Sequence, residues 1–240
     1  MVSIKELRNS TRQERKDYLY AFIDYLAYYP AWILIRTPMT PNQITILWII
    51  GQTLSALLLL NGDRVSMLIG IFSFQLFFIL DCTDGIVARY KNKYSLNGVY
   101  FDYLGHYLTN PLLLVCYGVA NYKLYGEIGY LYLGLGTALL FLLNKATTIN
   151  PFWYSDKKHR ESVEICFTKA LIKNQRNLIY ILFAFFRLEY IFNLMFLGTL
   201  VGYPNLTLLI YSLFFFLELI RKVSSQISIN YATDKKETSP

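Results

Sequence analysis

Long apolar segments separated by short polar stretches constrain the fold of this chain most strongly. A helix needs about 20 mostly apolar residues to cross a bilayer. The chain is 55% hydrophobic and only 16% charged, whereas a soluble domain has about 25% charged residues. We therefore predict an all-α integral membrane protein with six transmembrane helices, near residues 43–60, 65–80, 98–119, 128–143, 177–201 and 206–220.

The positions of the basic residues predict the topology. Four segments hold 20 of the 23 Lys and Arg residues: 1–42, 81–97, 145–176 and 221–240. Because cytoplasmic loops carry the excess of Lys and Arg, these segments are expected on the cytoplasmic side. The net charge of +7 is then a topology signal, and we expect membrane lipids and no nucleic acid as partners.

The N-terminal region predicts an interfacial helix and no signal peptide. Its first residues are polar and charged. Residues 15–36 then combine many aromatic and aliphatic side chains with the basic leader Arg12, Arg15 and Lys16, which is typical of an amphipathic helix lying in the membrane interface. We expect one domain over residues 1–233, a flexible tail over 234–240, and no disulfide framework from three scattered cysteines.

The stretch 81–106 carries the candidate chemistry. Asp81 and Asp84 are three residues apart, and Gly98, Asp102 and His106 are spaced by four, so each set shares one helical face. We predict that the two helices are antiparallel neighbours whose polar faces meet. Carboxylates at the edge of hydrocarbon are costly unless compensated, and clustered carboxylate oxygens suit Mg²⁺ or Mn²⁺.

The small residues and the arginine of this stretch favour a phosphate-bearing ligand. Gly85, Ala88 and Gly98 would let a ligand approach the backbone, and Arg89 offers a planar donor fork for phosphate. The simpler interpretation is a set of helix-end carboxylates that pair with nearby Arg and Lys side chains. Two matched polar faces favour the metal site over that interpretation.

Residues 81–106 resemble the signature of the CDP-alcohol phosphatidyltransferases, Asp-x-x-Asp-Gly-x-x-Ala-Arg, eight residues, then Gly-x-x-x-Asp-x-x-x-Asp. Every specified position matches except the last, where His106 replaces aspartate. The Thr40-Pro41-Asn42 turn and the six-span plan resemble that family as well. The resemblance implies a homodimeric membrane transferase of phospholipid biosynthesis, in which an alcohol acceptor attacks a CDP-linked donor and CMP leaves.

The resemblance also implies roles for individual residues. A pair of Mg²⁺ or Mn²⁺ ions would be held by Asp81, Asp84, Asp102 and the residue at position 106, and the last of these would also act as the base. It further implies that a set of residues from the signature and from the turn before the first span borders the nucleotide: Thr40, Asn42, Asp84, Gly85, Ala88, Arg89 and Gly98.

His106 leaves three interpretations open. It can serve with Asp102 as base or metal ligand in an active enzyme, since imidazole is intrinsically a stronger base than carboxylate. It can contact the substrate of an enzyme with altered chemistry. The chain can also be an inactive relative that acts as a nucleotide-binding membrane scaffold. Retention of every other signature residue favours an active enzyme.

Two basic residues are further candidates for binding a phosphate of the acceptor or of a lipid: Arg187, within the predicted fifth span, and Lys145, at the end of the fourth. Arg187 can alternatively pair with Glu189 or Glu218. A transporter is less favoured, because Asp81, Asp84 and Asp102 lie at the predicted cytoplasmic end of the spans and no duplicated halves are visible. We expect a multi-pass protein of the bacterial inner membrane, with its active site facing the cytoplasm.

Overall fold

A computed structural model describes residues 2–11, 18–149, 188 and 193–237, and every regular element among them is helical. An all-α architecture therefore holds for this part of the chain. The helices are α1 (Ile4–Thr11), α2 (Tyr18–Leu34), α3 (Pro41–Leu58), α4 (Arg64–Lys91), α5 (Leu96–Tyr125), α6 (Gly129–Ile149), α7 (Leu194–Val201) and α8 (Pro204–Glu237), with a 3-10 turn (Leu59–Asn61) after α3.

Two helical segments in the described ranges are long and apolar enough to cross a membrane, Pro41–Asn61 and Arg64–Lys91. They correspond to the first two predicted spans. The predicted spans 98–119 and 206–220 lie within α5 and α8, and 128–143 overlaps α6 from Gly129 onward; these three helices do not meet the same criterion. The predicted span 177–201 falls largely outside the described residues. Six spans therefore stay a prediction.

Local signals in the sequence fix the ends of the helices near the signature. Thr40 and Gln43 cap each other's backbone N–H groups at the start of α3, the reciprocal arrangement of a capping box. Helix α4 ends at Lys91 and is capped by Asn92, whose φ of 50° lies in the left-handed region. Helix α5 starts where the Ser95 side chain accepts a bond from the Gly98 N–H. The turn between the two signature helices is therefore short and defined.

Helix α3 packs along both α4 and α5, whereas α4 and α5 contact each other at few residues. The Gln52 side chain joins the three helices: it accepts a bond of 2.8 Å from the Thr109 hydroxyl and donates one of 3.4 Å to the Phe74 carbonyl. The sequence predicts α4 and α5 as direct neighbours. The two helices do meet where Asp81 of α4 approaches Asp102 and His106 of α5, and α3 packs against both of them, so the signature also faces a third helix.

The N-terminal helices pack against the signature helix. Ala27 and Ala31 of α2 are fully buried, and the Thr83 hydroxyl of α4 donates a bond of 3.2 Å to the Ala27 carbonyl. Helix α2 lies within the predicted interfacial helix 15–36; the basic leader at 12–16 lies outside the described residues. Helix α1 is not among the sequence predictions, although Ser3 and Glu6 cap each other at its start.

Two glycines bring α5 and α6 into backbone contact. A Cβ on Gly134 would lie 2.8 Å from the Gly118 Cα and 3.2 Å from the Leu114 carbonyl oxygen. No atom lies within 4 Å of the corresponding position at Gly136, on the same helix. The two positions thus offer a matched comparison.

We expect Gly134→Val to destabilise the protein by about 1–3 kcal/mol, the usual cost of overpacking, because backbone atoms cannot move aside. Thermal unfolding in detergent measures the change. Gly136→Val is the control, since it adds the same β-branched side chain to α6 where there is space. Equal losses in both variants would show that helix propensity, and not the crossing, sets the effect.

Candidate active site

The structure brings together one carboxylate from α4 and two side chains from α5. Ligand atoms of Asp81, Asp102 and His106 all lie within 4.8 Å of one another. The His106 Nε2 atom is 3.6 Å from Asp81 Oδ2 and 3.7 Å from Asp102 Oδ1. Asp102 is the most accessible of the three, with 45% of its side chain exposed against 22% for His106 and 11% for Asp81.

The donor set of this acidic cluster fits one divalent cation. Two carboxylate oxygens and one imidazole nitrogen converge, and each ligand type is common at transition-metal sites. Imidazole nitrogen favours Mn²⁺ or Zn²⁺ more than an all-oxygen set would, whereas Mg²⁺ prefers oxygen. A cation would also offset the repulsion between two carboxylates held this close. The three residues thus form a possible metal site.

Asp84 lies outside this three-residue group, and α3 holds its carboxylate. Its Oδ2 atom accepts a bond of 2.6 Å from the Thr45 hydroxyl and one of 3.1 Å from the Trp48 indole N–H. Neither donor is among the residues singled out from the sequence. The sequence feature that could have indicated them is their spacing: Thr45, Trp48 and Gln52 are separated by three and four residues, so they form one polar face of α3.

Arg89 and Gly85 are in contact with each other. The Arg89 Nη1 atom lies 3.2 Å from where a Cβ on Gly85 would stand, so the glycine leaves room for the guanidinium. The Arg89 Nε–H group donates a bond of 3.1 Å to the Thr11 carbonyl, at the end of α1. Ala88 is half-buried beside them. The N-terminal helix therefore helps to orient the signature arginine.

The turn before α3 lies against the start of α5. A Cβ on Gly98 would stand 2.7 Å from the Asn42 Oδ1 atom, and the same oxygen accepts a bond of 3.1 Å from the Ser95 hydroxyl. The Lys91 ammonium donates to two carbonyls of the segment that precedes α3. Thr40 uses its hydroxyl to cap α3. Asn42 and Gly98, far apart in sequence, are thus neighbours.

Lys145 belongs to a second, basic group between α6 and α8. Its Nζ atom lies 5.6 Å from the centre of the Phe141 ring. Nearby, the Lys222 ammonium donates a bond of 3.0 Å to the Asn144 carbonyl and lies 3.4 Å from a Glu218 carboxylate oxygen. Glu218, one of the predicted alternative partners of Arg187, therefore pairs with Lys222, while Arg187 lies outside the described residues.

Two long apolar helices and a possible metal site of two carboxylates and one histidine are thus combined in this protein. The sequence profile of the CDP-alcohol phosphatidyltransferases matches residues 38–211, a range that contains the acidic cluster. The chain belongs to the CDP-alcohol phosphatidyltransferase family, and the resemblance seen in the signature is confirmed. No curated protein matches the sequence.

Membership of this family has direct consequences. It implies a CDP-alcohol phosphatidyltransferase activity and association with membranes, and it does not favour the inactive-scaffold alternative. It also agrees with the possible metal site formed by Asp81, Asp102 and His106, since the family's chemistry is typically dependent on divalent metals.

Proposed function

We propose that the chain transfers a phosphate-linked group from a CDP-activated donor to the hydroxyl of an alcohol acceptor, forming a phosphodiester lipid and releasing CMP. The observation that carries this proposal is the convergence of Asp81, Asp102 and His106 within 4.8 Å, inside the range that matches the family. The proposed setting is a homodimer in the bacterial inner membrane, with the site open to the cytoplasm.

In the proposed reaction, the acceptor oxygen attacks the β-phosphorus of the donor. The bond between that phosphorus and the oxygen bridging to the α-phosphate breaks, and CMP leaves with the bonding electron pair. The hydroxyl proton passes to a base on the enzyme. Asp102 is our proposed base, because its side chain is the most exposed of the cluster.

We assign His106 the role of a metal ligand. Its Nε2 atom faces Asp81 Oδ2 and Asp102 Oδ1, so the three ligand atoms can bind the same ion. Once Nε2 binds the ion, that nitrogen cannot accept the hydroxyl proton, and the base is therefore assigned to Asp102. A divalent ion, Mg²⁺ or Mn²⁺, would stabilise charge on the phosphoryl oxygens when bound. Asp84 Oδ2 accepts both bonds from α3, and its Oδ1 atom would serve a second ion that binds together with the nucleotide.

The remaining signature residues are proposed to border the nucleotide. Arg89, held on one side by the Thr11 carbonyl, would donate to a donor phosphate across Gly85 and Ala88. Thr40, Asn42 and Gly98 would line the opposite side, where α3 and α5 begin. Lys145, together with Arg187, is our candidate for an acceptor or lipid phosphate.

The direct test is CMP release by the purified protein in detergent, with Mn²⁺ or Mg²⁺ and a panel of CDP-alcohols combined with candidate acceptors. We expect CMP only when donor, acceptor and metal are all present, and a lipid product in equimolar amount. Absence of CMP with every combination, from a protein shown to be folded, would refute the proposed transferase activity.

Removal of metal should abolish that activity reversibly. We expect EDTA treatment to stop CMP release, and Mn²⁺ to restore it at lower concentration than Mg²⁺, because the imidazole of His106 is a better ligand for Mn²⁺. Titration of each ion into the chelated protein measures the two activation constants. Activity that survives chelation and dialysis would contradict the assignment of the acidic cluster as a metal site.

A further inference from the structure

Trp48 of α3 connects two parts of the site that the signature supplies from different helices. Its side chain is completely buried, and it contacts Asp84 of α4 through its N–H group and His106 of α5 through its ring. A buried indole N–H group needs an acceptor, and here that acceptor is a carboxylate of the signature. Trp48 itself lies outside the signature, on α3, which packs against both helices that carry it.

The contact with Asp84 has a defined direction. An indole N–H is a donor only, so the Asp84 Oδ2 atom is the acceptor, at 3.1 Å. The Thr45 hydroxyl donates to the same oxygen at 2.6 Å. A half-buried carboxylate depends on such donors. The two residues of α3 therefore restrict how the Asp84 carboxylate can rotate.

The contact with His106 fixes the plane of the imidazole. The ring centres of Trp48 and His106 are 5.2 Å apart with an interplanar angle of 34°. Phe78 lies 6.3 Å from His106, with an interplanar angle of 53°. Gly105 makes room for the indole, because a Cβ there would overlap the Trp48 ring. With these two rings beside it, the imidazole directs Nε2 toward Asp81 and Asp102.

We propose that Trp48 is a positioning residue of the active site, whose ring orients His106 for metal binding and whose N–H group orients Asp84 for the nucleotide-bound substrate. This inference rests on the proposed function. It assigns separate tasks to the two parts of one side chain. Loss of the aromatic face should therefore affect metal binding, and loss of the N–H group alone should affect the nucleotide.

Two substitutions separate these tasks. Trp48→Phe keeps an aromatic face and removes the donor, whereas Trp48→Met keeps an adaptable apolar side chain and removes both. Trp32→Phe is the matched control, because its indole N–H also donates a hydrogen bond, to the Val2 carbonyl at 2.9 Å, away from the acidic cluster. Thermal unfolding shows which variants are folded.

The readouts are Mn²⁺ binding, followed by the electron paramagnetic resonance signal of free Mn²⁺, and CDP binding in saturating Mn²⁺. We expect Trp48→Met to weaken Mn²⁺ binding about tenfold or more, the usual effect of removing a residue that orients a ligand. Trp48→Phe should leave Mn²⁺ binding within about threefold of wild type and weaken CDP binding about tenfold. Trp32→Phe should change neither.

Wild-type Mn²⁺ affinity in folded Trp48→Met would overturn the inference. Equal CDP losses in Trp48→Phe and Trp32→Phe would overturn it as well, since the Asp84 contact would then have no specific effect. If Trp48→Met does not fold, unchanged CDP binding by Trp48→Phe is sufficient to reject it. Neither readout needs turnover, so the two proposals can fail separately. Failure of the CMP-release assay would refute the proposed function, whereas the Mn²⁺ and CDP binding data alone decide the role of Trp48.

Discussion

Asp81→Asn is expected to reduce CMP release at least about 100-fold, because an amide of the same size replaces a charged metal ligand whose contribution amounts to several kcal/mol. Asp81 is the most buried member of the acidic cluster, so water can replace its oxygen less easily than that of Asp102. The measurement is the initial rate of CMP release at saturating Mn²⁺, together with Mn²⁺ affinity.

Asp63→Asn provides a matched control for that substitution. Asp63 caps the other end of α4 by accepting a bond of 2.9 Å from the Ser66 N–H, and asparagine is a comparable N-cap residue. The same chemical change in the same helix should therefore leave activity within about twofold. Wild-type rates for Asp81→Asn would remove Asp81 from the metal site and, with it, the centre of the proposed mechanism.

His106→Ala is expected to cause a loss of similar size, at least about 100-fold, whereas His106→Asp should retain measurable activity. The alanine variant has no ligand at this position. The aspartate variant restores the carboxylate that the family signature has there, and an all-oxygen ligand set should shift the preferred ion from Mn²⁺ toward Mg²⁺. Activation by each ion, compared between wild type and His106→Asp, measures that shift.

The same pair of variants separates a ligand from a base at position 106. If imidazole were the base, His106→Asp would move the acid limb of the pH profile lower, because carboxylic acids ordinarily have the lower pKa. A ligand role instead predicts a changed metal preference with the acid limb in place. Near-wild-type activity of folded His106→Ala would exclude both roles and leave His106 as a substrate contact or a packing residue.

Much of the fold near the site could be predicted from local patterns. Residues 43–60 and 65–80 were expected as spans because they are long and apolar, and both lie in helices that meet the length and composition test. The spacing of Asp102 and His106 placed them on one face, and the structure brings that face to Asp81. The helical repeat is set by local backbone geometry, so the sequence is sufficient to predict which residues share one helical face.

The sequence also has local signals that are easily passed over. Ser3 and Glu6 have the spacing of a capping box and begin α1, although the region looks like an irregular polar leader. Helix α8 extends to Glu237, into the segment 234–240, whose flexibility stays a prediction. Hydropathy is a weak guide at such positions, because caps and charged helical faces do not depend on apolar content.

The sequence by itself determined which residues of the signature share a helical face. It also determined the family to which the chain belongs and the departure of His106 from the signature of that family. Only the tertiary structure decided that α3 packs against both α4 and α5, that Trp48 contacts both Asp84 and His106, and that the Thr11 carbonyl holds Arg89. The physical reason is that the helical repeat is fixed by backbone geometry within one segment. Which helix lies opposite a given face depends on the packing of side chains from distant parts of the chain.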